Sequence, residues 1–142
     1  MSEPLYRGSI RGDYKAACSN ARLKTVVVGR SARLVRSSAY VAWERRATVQ
    51  LRPLGTPLAL LALAVRVEID VCHPITHRKG ASAGLARIDV DALIKSTLDA
   101  LVAAGVLVDD SLAVEVVARK HVAAKADQRI DVVILPAVPQ PC

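Results

Sequence analysis

Two periods of hydrophobic positions run along this chain. Leu23 to Val28 is rich in valine and reads as a first strand, broken by Gly29-Arg30-Ser31. Ser37 or Ser38 can cap a helix that runs to about Leu51, because Tyr40, Trp43 and Ala47 recur at helical spacing and Pro53 stops it. The apolar stretch Leu58 to Val71 ends in strict alternation (Val65, Val67, Ile69, Val71) and predicts a strand. His73 to Arg87 contains Pro74, Gly80, Ser82 and Gly84 and reads as a loop. Asp91 to Ala104 is the second predicted helix, with Ile94, Leu98 and Leu101 as its apolar stripe and Gly105 as its stop. Leu112 to Val122 and Arg129 to Leu135 read as two strands joined by a turn near Lys125-Ala126-Asp127-Gln128. Residues 1–20 are polar and read as irregular, and Pro136 to Cys142 reads as a frayed tail. The order β-α-β-α-β-β predicts an α/β chain of mixed α+β type: a small mixed sheet with two main helices packed on it, in one domain over residues 1–142.

Composition narrows the function. At 52% hydrophobic the chain can bury a sizeable core, and at 3% aromatic, without Phe, that core is aliphatic. Tyr40 and Trp43 are expected in the core, so a single-strand binder built on stacking platforms is disfavoured. The net charge is +7, and it is uneven. Residues 1–52 hold eleven Lys/Arg against three Asp/Glu, whereas residues 53–142 hold nine against ten. The first third is therefore the expected footprint for a polyanion, against the plainer reading of a basic solubilising surface. Three cysteines make no disulfide framework and fit a reducing, cytoplasmic setting. The opening Met-Ser-Glu-Pro lacks a signal-peptide pattern, and the run Pro57 to Val65 is too short to span a bilayer. No Walker-type glycine loop is present, so no nucleotide cofactor is expected.

The chemistry-bearing pattern lies between Asp89 and Asp110. Asp89 and Asp91 open the second helix, Lys95 follows one turn in, and Asp109-Asp110 sits just past Gly105. Each has a plain alternative. Asp91 is a good N-cap, Lys95 can form i,i+4 pairs with Asp91 or Asp99, and Asp109-Asp110 can be turn residues. Together they are two acidic pairs at the two ends of one helix. Carboxylates held close need a counter-charge, and all-oxygen donors suit Mg²⁺ or Mn²⁺. For Asp110 to approach Asp89, the chain after Gly105 must run back along the helix; the five residues Val106 to Asp110 can cover most of that distance.

Two other sets stand out. Cys72-His73 with His77 would need a distant fourth ligand such as Cys18 to hold zinc, and Pro74 interrupts the helix that usually carries His-x₃-His. The favoured reading is a basic loop, His73, His77, Arg78, Lys79 and Arg87, against phosphates, with a solvated loop as the plain alternative.

The segment from Asp89 to Lys120 closely resembles the RusA-type Holliday junction resolvases, endodeoxyribonucleases common in phages and prophages. Their core reads Asp-x-Asp-x-Leu-x-Lys, then Asp-x-Leu, then Ala-Gly-hydrophobic-x-x-Asp-Asp, then a strand ending in lysine. Asp89, Asp91, Leu93, Lys95, Asp99, Leu101, Ala104, Gly105, Asp109, Asp110 and Lys120 fill it without a gap. Ser19-Asn20, Gly29-Arg30 and Ser37-Ser38 are looser counterparts of the family's earlier elements. The resemblance implies that Asp89, Asp91 and Asp110 are catalytic metal ligands and that Lys95 is the catalytic lysine. It also implies a homodimer with two active sites that nicks two strands of a four-way DNA junction. Arg30 and Lys120 join the basic loop as expected DNA contacts. Two rival readings carry the same residues: a nuclease for forks or flaps, and a non-catalytic DNA-binding regulator whose acidic residues only cap and solvate.

Overall fold

A computed structural model describes residues 2–18, 21–52, 62–75, 88–138 and 140–142. The strands are β1 (Tyr6–Arg11), β2 (Leu23–Val28), β3 (Ser31–Arg36), β4 (Val65–His73), β5 (Ala113–Val122) and β6 (Arg129–Pro136). The helices are α1 (Ser38–Leu51) and α2 (Ile94–Ala103), with short 3₁₀ turns elsewhere, including Val90–Leu93 and Asp110–Leu112. This is the mixed α+β architecture that the hydrophobic pattern predicts.

The main sheet has the order β1-β6-β4-β5, and β2 and β3 form a separate two-stranded ribbon. β6 pairs antiparallel with β1 and β4, while β4 and β5 run parallel. A parallel pair needs a crossover, and α2 lies within it. The alternation in β4 buries Val65, Val67, Ile69 and Val71 completely, and Ile130, Val132 and Ile134 of β6 join them. Tyr40, Trp43 and Leu51 from α1 and Leu98 and Leu101 from α2 complete the same core. Tyr40 and Trp43 are thus core residues, as their spacing suggests.

Several sequence-based boundaries are corrected. Residues 1–20 are not irregular throughout: β1 is an edge strand whose Ile10 is buried. Its remaining positions are polar, so alternation is faint. Gly29-Arg30 does not end a lone strand but forms the tip of the β2–β3 ribbon, with Gly29 at φ 61°. β4 starts at Val65, where alternation begins, rather than at Leu58; residues 58–61 lie outside the described residues. It also runs through His73, which therefore belongs to a strand and not to a loop. Of the two serines offered as caps, Ser37 caps α1, accepting a hydrogen bond from Tyr40 N at 3.1 Å. Pro136 closes β6 rather than opening the tail.

Candidate active site

Asp91 does not cap the second helix. Residues Val90–Leu93 form a 3₁₀ turn, and the cap of α2 is Leu93, which supplies no side-chain hydrogen bond. Asp89 precedes the 3₁₀ turn and likewise makes no side-chain cap. Both carboxylates are exposed, and among the described residues neither makes an ion pair or a side-chain hydrogen bond. The structural explanation that competed most strongly with a chemical role for Asp91 is thereby removed.

The other acidic pair is brought back along α2. Gly105 adopts φ 75°, the left-handed conformation that ends a helix. Val106 N and Leu107 N then both donate to Leu101 O, at 2.9 and 3.3 Å, which reverses the chain. Val106 and Leu107 are buried, so apolar packing holds the return. Asp110 arrives beside the first turn of α2, where Lys95 Nζ donates a short hydrogen bond to its Oδ2. Asp109 is exposed; its carboxylate accepts from Ser111 N at 2.8 Å, and that hydrogen bonding lowers its pKa.

Lys95 also pairs with Asp99 at 2.9 Å. Asp110 first and Asp99 second raise the pKa of the Lys95 ammonium, so the group stays charged well above neutral pH. Asp99 is shared: its Oδ2 accepts from Arg22 at 2.8 Å. The Arg22 guanidinium lies 4.9 Å from the Tyr40 ring centroid, and Arg36 lies 5.2 Å from it. Arg36 grips Glu44 with two hydrogen bonds, at 3.0 and 3.2 Å, and Tyr40 OH donates to Glu44 at 3.1 Å. The charged chain Glu44–Tyr40–Arg22–Asp99–Lys95–Asp110 thus ties α1, the start of β2, α2 and the returning segment together. It borders a cleft of about 350 Å³ that Arg36, Lys95, Asp99, Asp109 and Asp110 help line.

Sequence reasoning missed Arg22, Arg36 and Glu44 here. Only the i,i+4 spacings Tyr40/Glu44 and Lys95/Asp99 were visible signals, since the arginines arrive from a separate ribbon.

The remaining predicted residues fall in several places. Lys120, on β5, reaches back to donate to Ile88 O at 3.4 Å, next to Asp89. Arg30 is exposed at the tip of the β2–β3 ribbon. His73 shares a 2.6 Å hydrogen bond with Tyr14 OH, and burial lowers its pKa, which favours the neutral ring. His77, Arg78, Lys79 and Arg87 lie outside the described residues. Cys72 is buried and Cys18 half-buried. Among the described residues no three His, Cys, Asp or Glu side chains are grouped as a ready metal cage. The donor chemistry of Asp89, Asp91 and Asp110 nevertheless suits a hard divalent cation: every side-chain donor atom is oxygen, and Asp89 and Asp91 have no ion-pair partner among the described residues.

No curated protein matches the chain. No helix among the described residues is long and apolar enough to cross a membrane. The pattern that defines the endodeoxyribonuclease RusA family matches residues 15–134, spanning the ribbon, both helices and nearly all of β6. On that match the chain belongs to the endodeoxyribonuclease RusA family, enzymes that resolve Holliday junctions by hydrolysing DNA phosphodiester bonds.

Proposed function

We propose that this chain cuts four-way DNA junctions with a divalent metal, Mg²⁺ or Mn²⁺, held by Asp89, Asp91 and Asp110, with Lys95 at the scissile phosphate. The observation that carries the reading is the return of Asp110 to the first turn of α2, beside Lys95 and one short turn from Asp91. A bound Mg²⁺ would polarise the phosphoryl oxygen and lower the pKa of a water.

The chain's own residues do the rest. Lys95 is a permanent cation on an exposed stem, able to donate to a non-bridging phosphate oxygen as charge builds there. Asp99 restrains that stem, and Arg22 restrains Asp99. Arg36 at the cleft wall adds a second cation facing the same space. Arg30, Lys120 and the basic residues His77, Arg78, Lys79 and Arg87 are assigned to the DNA backbone, with His73 as a neutral neighbour. No nucleotide is required. The three free cysteines agree with work in a reducing cytoplasm.

One site per chain yields one nick. A four-way junction has approximate two-fold symmetry and needs two opposed nicks, so the active form is a C₂ homodimer. The test is cleavage of a synthetic four-way junction beside a fork and a linear duplex, with and without Mg²⁺, together with sedimentation at the same concentration. Metal-dependent paired nicking of the junction by a dimer is expected. Preference for the fork by a monomer would replace this reading with the fork or flap nuclease. Because the family is enzymatic, the non-catalytic regulator is no longer an alternative.

A further inference from the structure

The β2–β3 ribbon is a free-standing pair of strands with an open apolar face. Cross-strand partners share a face, and the register Leu23↔Arg36, Thr25↔Leu34 and Val27↔Ala32 places these six side chains together. Val27 is 72% exposed, Leu34 71% and Leu23 50%. A two-stranded ribbon alone is marginal in water, so aliphatic side chains left open on one face call for a partner.

Charge selects the partner. Residues 22–36 carry Arg22, Lys24, Arg30, Arg33 and Arg36 and no carboxylate. Lys24, Arg30 and Arg33 make no ion pair among the described residues. Lys24 and Arg33 lie on the ribbon's other face, Arg30 at its tip and Arg36 at the base of the apolar face, so cations surround the ribbon with no carboxylate among them, and a polyanion neutralises them. Position selects it further. Arg36 ends the apolar face and also lines the cleft that holds Lys95, Asp109 and Asp110. DNA seated in that cleft would continue along the ribbon.

We propose that this face is a DNA contact that takes the unstacked bases and sugars at a branch point, with Val27 and Leu34 as its apolar wedge, Arg36 at its base, and Lys24 and Arg33 on the opposite face of the ribbon for the phosphates of the flanking arms. Aliphatic side chains have no phosphate to pair with, but they can press against base and sugar surfaces that a continuous duplex hides and a branch exposes. The ribbon would then be what separates a junction from a linear duplex. This rests on the DNA-cleaving reading above, and its test is kept apart from cleavage.

The experiment uses the full chain without divalent metal, a synthetic four-way junction carrying 2-aminopurine at the branch, and a linear duplex of the same length. The wild type is expected to raise the fluorescence on binding the junction. The double variant Val27→Ser/Leu34→Ser is expected to lose that rise and to bind the junction roughly tenfold more weakly, the scale of losing a buried aliphatic contact. Its affinity for the linear duplex is expected to hold. Because both side chains are exposed, folding should survive; Val27→Thr, which keeps the branched shape, provides a milder variant with an intermediate loss. Unchanged junction affinity and fluorescence in the double variant would overturn the proposal. So would a shift from dimer to monomer in sedimentation with the fluorescence rise retained, which would make the face a contact between copies. A wild type that binds and opens the junction but never cuts it when Mg²⁺ is added would count against the cleavage reading and leave the wedge standing.

Discussion

Lys95 and Asp110 stand fifteen positions apart in the chain, yet their side chains touch. The contact exists because Gly105 turns the chain and buried Val106 and Leu107 hold the return against α2. It sets a cation beside one carboxylate of the proposed ligand set and shares that cation with Asp99.

Asp91→Asn is expected to abolish nicking, by at least roughly a hundredfold, the scale on which removing a key electrostatic group acts. Junction binding is expected to hold or tighten, since one charge that repels phosphate is gone. Asp91 makes no cap, so stability should change by less than about 0.5 kcal/mol. Nicking at the wild-type rate would remove Asp91 from the site.

Asp99→Asn tests the restraint on Lys95. Arg22 and Asp99 are each only 20% exposed, so the guanidinium loses its charged partner in a half-buried setting. A loss of about 1–2 kcal/mol in urea unfolding is expected. A lower kcat with little change in KM is expected too, because the substitution loosens Lys95 rather than removing it. Asp99→Glu should restore part of both. An Asp99→Asn enzyme with wild-type kcat would leave Asp99 with a purely structural role.

His73 gives a pH signature in stability. Its folded-state pKa lies below the ordinary 6.5, with burial the main cause. As pH falls, the unfolded chain takes up this proton first. The contribution is therefore full above about 6.5 and is lost as pH drops through the lowered value. Thermal melts of the wild type should fall over that window more steeply than those of His73→Asn. Parallel curves would mean that His73 is not held in its neutral form by the fold.

Junction affinity should fall steeply with salt. Residues 1–52 carry eleven cations against three carboxylates, and the ribbon is the part of them with no acidic residue. Each phosphate neutralised on duplex arms contributes a slope of roughly −0.9 in log K against log salt. Arg33→Ala should reduce the measured slope by about one such step. A slope near zero in the wild type would dismiss this electrostatic footprint.

The sequence alone determined what depends on short spacings. Strict alternation from Val65 announced β4, the Ser37 cap and the helical recurrence of Tyr40, Trp43 and Ala47 announced α1, and Gly105 announced the end of α2. The ordered Asp and Lys positions from Asp89 to Lys120 carried the family, because local motif order survives without knowledge of the fold. Tertiary structure decided what depends on distant partners. β1 is a strand because β6 offers it hydrogen bonds, although Ile10 is its only fully buried side chain. Gly29-Arg30 is a hairpin tip because Ser31–Arg36 pairs back on β2, and that pairing leaves no buried face for a hydrophobic pattern to record. Asp91 looked like a cap, but a 3₁₀ turn shifts the helix start to Ile94 and frees its carboxylate. Arg22 meets Asp99 only across 77 positions, a pairing set by how the ribbon's base and α2 pack, which no local spacing encodes.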